Sequence, residues 1–166
     1  MTTPDALIKL FQPWNDFYSH SKPAETIVLF LHIGGMLLAG GLAIAADRGT
    51  LRAIRLTGDN RVAHMKELAA VHRWVITGLG IVVVSGVALL ASDIETFWGS
   101  WIFWTKMALV ALLLANGLMM TRTERSLEME AGETSPHWGA LRRSATVSLA
   151  LWFTITLAGV ALANLA

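Results

Sequence analysis

No cysteine occurs among the 166 residues. That absence excludes disulfides, thiolate metal sites, iron-sulfur clusters and haem attached covalently through a Cys-x-x-Cys-His motif. Any cofactor must be held by histidine, methionine, carboxylate or packing. Charge is scarce as well: Asp, Glu, Lys and Arg make up 15% of the chain against 54% hydrophobic residues, with a mean hydropathy of +0.54. A soluble core cannot hide that much apolar surface. The net charge is only +1, so no basic excess points to nucleic acid. A Gly-rich phosphate loop, a Ser-His-Asp ordering and a His-Glu-x-x-His pattern are all missing. The first 23 residues also lack a basic stretch followed by an apolar core, so the first long apolar run is expected to serve as its own targeting signal.

What the chain does have is four long apolar runs. Thr26 to Ala46 holds 21 residues without a formal charge, about 31 Å as a helix and enough to cross a bilayer's hydrocarbon core. Trp74 to Ser92 is a second uncharged run, with an amphipathic lead-in through Met65, Leu68 and Val71 that Asp59 or Asn60 can cap. Phe97 to Thr121 is interrupted only by Lys106, and Ser144 to Ala166 carries no charge, its helix starting near Ser135-Pro136. The expected fold is an all-α, transmembrane, up-down four-helix bundle with spans at about 26–46, 70–92, 98–121 and 143–165. These make a domain over residues 24–166. Residues 1–23 form an outer interfacial segment, where Thr3-Pro4-Asp5 starts a short helix bearing Leu7, Leu10, Phe11, Trp14 and Phe17, placed to lid the outer mouth.

Orientation follows from the basic residues, which are retained on the cytoplasmic side. Arg48, Arg52, Arg55, Arg61, Lys66 and Arg73 lie between runs one and two, and Arg122, Arg125, Arg142 and Arg143 between runs three and four. The other connection carries Asp93 and Glu95. Both termini are therefore expected outside a bacterial-type inner membrane. The basic stretch from Arg48 reads as a headgroup anchor, and Glu124, Glu128, Glu130 and Glu133 with Arg122 and Arg125 as a solvated helical extension. Gly86-Val87-Ala88-Leu89 recurs as Gly159-Val160-Ala161-Leu162 73 residues later, as a parallel duplication of two hairpins would produce.

Only two ionisable side chains, His32 and Lys106, fall clearly inside the runs. His32 lies about 9 Å below the outer surface, and Lys106 about 7 to 13 Å, depending on whether the third span enters at Trp101 or Phe97. A neutral imidazole is a common axial ligand for membrane haem, and Gly35, Ala39 and Gly40 would let a flat porphyrin approach the backbone. Met36 adds a soft neighbour one turn away. The competing reading makes His32 a hydrogen-bonded packing residue, Lys106 a snorkelling cation and the Gly35, Ala39, Ala43 stripe a helix-packing surface. His72 is a second candidate ligand, set apart from His32 by a gap of about 12 Å along the membrane normal. His64, His72 and His137 share the inner side, but their spacing has no metal-ligand signature, and solvated interfacial histidines account for them.

The stretch Leu31-His32-Ile33-Gly34-Gly35-Met36-Leu37-Leu38-Ala39-Gly40-Gly41 resembles the first-helix pattern of the CopD and HemJ group of membrane proteins. Trp101-Ile102-Phe103-Trp104-Thr105-Lys106-Met107 and the Leu- and Ala-rich run behind it are similar to their later helix headed by a lysine, and Ser85-Gly86-Val87-Ala88-Leu89 to the end of their second. HemJ-type proteins are protoporphyrinogen oxidases binding b-type haem through a first-helix histidine, whereas CopD-type proteins serve copper uptake. The resemblance implies His32 as a haem or copper ligand and Lys106 as a second polar site residue. The Tyr-Leu-Pro-Arg and Tyr-His elements of HemJ proteins are not present. The expected function is a haem b protein, redox-active toward a porphyrin or quinone, with His32 on iron and Lys106, Met36 and His72 as further cofactor-binding candidates. Copper transport through His32 and Met36, or a structural subunit of a homo-oligomer or larger membrane complex, are the alternatives.

Overall fold

A computed structural model describes residues 5–55, 58–129 and 137–165, with the backbone alone for 58–70, 72, 128 and 129. These residues form six helices and no strand: α1 (Asp5–His20), α2 (Lys22–Ala53), α3 (Gly58–Ser92), α4 (Ile94–Gly99), α5 (Trp101–Met129) and α6 (His137–Leu165). Four stretches, Lys22–Ala53, Arg73–Ser92, Trp101–Leu127 and His137–Leu165, are long and apolar enough to cross a membrane. Their outer faces agree with that environment. Phe30, Leu37, Val84, Leu118, Phe153 and Leu157 all stand exposed, a distribution that fits lipid rather than water as the solvent.

Local chemistry sets the helix ends. Ser21 caps α2, its hydroxyl accepting from the Ala24 amide at 3.4 Å, and Pro23 occupies the first turn, where a missing N–H costs nothing. Asp93 caps α4 by accepting from the Thr96 amide at 3.3 Å. Ser100 then breaks the helix in an extended conformation and accepts from the Phe103 amide at 3.5 Å, opening α5. The third long helix therefore begins at Trp101, and Phe97 and Trp98 belong to the separate α4. Asp59 and Asn60, expected as caps, lie in the first turn of α3, which begins at Gly58. The expected starts at Thr3-Pro4 and Ser135-Pro136, and the acidic positions Glu130 and Glu133, lie outside the described residues.

Small residues draw α2 and α3 together in antiparallel register. A Cβ on Gly78 would stand 2.7 Å from the Ala39 nitrogen, and one on Gly35 would stand 3.0 Å from the Cγ2 methyls of Ile81 and Val82. The Gly35, Ala39 stripe is thus a packing surface covered by α3. Gly40 does the same toward α6, where a Cβ would meet the Trp152 ring at 3.0 Å. The face expected to receive a porphyrin is filled by protein. Between α5 and α6, Asn116 donates to the Ser144 carbonyl at 2.9 Å.

Helices α2 and α6 touch at the centre, with α3 packed on α2 and α5 on α6. Among the described residues α3 and α5 make no close backbone approach, which leaves a cleft between them floored by α2 and α6. One core cluster joins Ala39, Leu113, Trp152 and Ile155, and a second joins Ile102, Phe103 and Leu162 near α4. The N-terminal α1 rests on the first hairpin and α4, not across all four helices. Its Trp14 indole donates to the Ala88 carbonyl at 2.9 Å and the Asn15 amide to the Ser92 carbonyl, so it supplies donors at the C-terminal end of α3.

Candidate functional site

His32 is carried by α2 into the interface with α3, where its Nδ1 lies 3.1 Å from Ser85 Oγ. The direction of that bond follows from proton counting. Ser85 has one hydroxyl proton and gives it to the Ile81 carbonyl at 2.6 Å, so it can only accept from the imidazole. The Val82 carbonyl, 3.3 Å away, is a second acceptor for the Ser85 hydroxyl. His32 therefore carries a proton on Nδ1, and in the neutral ring that tautomer leaves the lone pair on Nε2. Gly86 makes room for the ring: a Cβ there would lie 3.2 Å from Cε1 and 3.6 Å from Nδ1.

Lys106 sits one turn into α5, partly buried, and its ammonium lies over Gly159 of α6, where a Cβ would stand 3.6 Å from Nζ. The recurring tetrapeptide gains a physical meaning here. Its first glycine faces His32 in one hairpin and Lys106 in the other, so each hairpin sets an ionisable side chain of its first helix against a glycine of its second. The two groups are also neighbours electrostatically, since the Lys106 charge acts on the His32 imidazole. Counted from the helix starts at Lys22 and Trp101, His32 lies about 15 Å along α2 and Lys106 about 7 Å along α5.

Met36 follows His32 by one turn on α2 and is partly buried. His72 lies near the middle of α3, about 20 Å along the helix from Ser85, which meets His32; its side chain and that of His64 are outside the described residues. No group of three or more His, Cys, Asp or Glu able to hold a metal occurs among the described residues.

Three polar residues that sequence reasoning passed over take part in the architecture. Ser85 is buried and orients His32. Asp47 and Thr50, on α2 about 22 Å and about 27 Å along the helix from His32, are 3% and 1% exposed and line a cavity of about 420 Å³ in the cleft between α3 and α5. A signal for Asp47 was present: Gly35, Ala39, Ala43 and Asp47 recur every four residues, and Thr50 continues the stripe, so Asp47 belongs to the packed face rather than to the basic connection beside it. Arg48, Arg52 and Arg55 are not buried, as a headgroup anchor requires.

The chain matches no protein-family model, no curated protein and no solved structure.

Proposed function

We propose that the chain is a multi-pass protein of a bacterial-type inner membrane, an up-down four-helix bundle with both termini outside, that binds b-type haem through Nε2 of His32. The observation that carries this reading is the bond from His32 Nδ1 to Ser85. A ligating histidine characteristically donates its other ring N–H to a fixed acceptor, which sets the tautomer and the ring plane. A purely structural histidine has no need of an unengaged second nitrogen inside an apolar layer. Lys106, within electrostatic reach of His32, supplies a positive charge for an acidic group such as a propionate.

The donor set fits a haem: a neutral imidazole, no thiolate and one nearby cation. Bound haem would supply one-electron chemistry toward a porphyrin or quinone. The chain's own contribution is to hold the imidazole by Ser85 and Gly86, to place Lys106 over Gly159, and to keep water away with the surrounding apolar helices. The stripe from Gly35 to Gly40 takes no part in binding, because α3 and Trp152 cover it.

The test is the visible spectrum of protein purified in mild detergent from haem-replete cells. A Soret band and a reduced α-band that vanish in His32→Ala and shift in Ser85→Ala support the reading. A colourless wild-type protein overturns it, and stoichiometric copper lost on changing His32 or Met36 would instead establish the copper-transport alternative.

A further inference from the structure

The cleft between α3 and α5 holds a second feature unrelated to His32. It is lined mainly by apolar side chains, among them Leu79, Leu113, Leu114 and Trp152, yet Asp47 and Thr50 open into it from the floor. Both are more than nine-tenths buried, and among the described residues Asp47 Oδ2 and Thr50 Oγ1 have no hydrogen-bond partner, while Ser148 is the hydrogen-bonding neighbour of the Asp47 carboxyl. The two residues stand one turn apart on the same face of α2, beneath the floor of the cleft. A buried carboxylate oxygen without a partner costs free energy unless something else occupies the space in front of it.

We infer that this cleft binds an amphiphilic organic cation, a protonated amine on an apolar body, with the ammonium on Asp47 and Thr50. Charge selects the head group: among the described residues the lining offers the buried Asp47 carboxyl and no Lys, Arg or His, which favours a cation over an anion. The acceptors suit an ammonium, whose three N–H donors can be shared between the Asp47 and Thr50 oxygens once these buried side chains turn toward the cavity. Volume decides the rest. A bare metal ion needs a shell of oxygens and would leave most of an apolar space of about 420 Å³ unfilled, whereas a small amphiphile fills it. The Trp152 ring adds an aromatic surface suited to such a ligand.

The proposal is independent of haem binding and is tested separately. The protein in phosphatidylcholine nanodiscs is titrated with a fluorescent alkylamine, and in parallel with its N-acetylated counterpart and the matching carboxylic acid. Saturable binding of the amine is expected, at least about ten-fold tighter than either control. Asp47→Asn should weaken it by a similar factor. Gly117 lines the cleft and has nothing within 4 Å of a Cβ, so Gly117→Leu has room for its first added atom, puts new volume at the cleft wall and should abolish binding even if the Asp47 variant does not fold. His32→Ala should leave amine binding intact while removing any haem spectrum, so failure of one reading is distinguishable from failure of the other. Equal binding of the acetylated probe, or wild-type binding by Gly117→Leu, overturns the proposal.

Discussion

The two helix hairpins of this protein share a plan and differ in how tightly it is executed. In α2–α3 the backbones meet through glycine, with Gly78 against the Ala39 main chain, and the ionisable residue His32 is tied to its partner helix by Ser85. In α5–α6 the side-chain amide of Asn116 bridges the helices, and Lys106 rests over Gly159 at ordinary contact distance with no hydrogen bond among the described residues. One hairpin fixes its polar group and the other leaves it room. A metal-ligating imidazole needs a fixed plane, whereas a lysine acting as a point charge does not.

The sharpest way to break this comparison is Gly78→Ala. The added methyl would sit 2.7 Å from the Ala39 nitrogen and 3.1 Å from its Cα, and backbone cannot turn aside as a side chain can. A loss of about 1–3 kcal/mol is expected, read as the unfolding midpoint in mixed detergent, despite alanine's better helix propensity. Gly35→Ala should cost less, because two of its three close neighbours are the methyls of Ile81 and Val82. Equal tolerance at Gly78 and Gly159 would show that the first hairpin is no tighter than the second.

Next in size is Asn116→Ala, which removes the interhelical bond of the second hairpin alone. Such bonds between membrane helices are worth about 0.6 kcal/mol on average and up to about 1.7. A loss in that range, additive with the loss in Gly78→Ala when the two changes are combined, would sharpen the separation of the two hairpins. Gly86→Ala is subtler. Its methyl would come within 3.2 Å of His32 Cε1, so the ring must shift by a few tenths of an ångström while global stability changes by less than about 1 kcal/mol. Under the proposed haem reading, the expected readout is a displaced haem band in an otherwise well-folded protein.

Much of this layout can be read from residue order, for physical reasons that also explain what cannot. A bilayer imposes its thickness on helix length and its polarity on composition, so the four apolar stretches announce themselves, and His32 and Lys106 stand out because ionisable groups are costly there. The break before α5 is hidden because Phe97 to Trp101 reads as one aromatic-rich entry to a helix; only the local bonds of Asp93 and Ser100 divide it. Ser85 is inconspicuous because serine is common in membrane helices and its role depends on which face meets His32. Asp47 is masked by adjacent Arg48, which makes it resemble half of a solvated pair; its burial depends on the four-residue stripe continuing past the last apolar residue.

The smallest effect is expected at Gly159, and it is the most discriminating because its sign is opposite. A methyl there would lie 3.6 Å from Lys106 Nζ and 3.8 Å from Cε, ordinary van der Waals contact with the mobile end of a side chain. No neighbour must move, so the intrinsic cost of glycine in a helix, about 0.5–1 kcal/mol relative to alanine, decides the outcome. Gly159→Ala should therefore leave stability unchanged or raise it by up to about 1 kcal/mol, in the assay where Gly78→Ala lowers it. A fall comparable to that at Gly78 would mean that Lys106 is held as rigidly as His32, and the second hairpin would then have to be treated as a positioned ligand site in its own right.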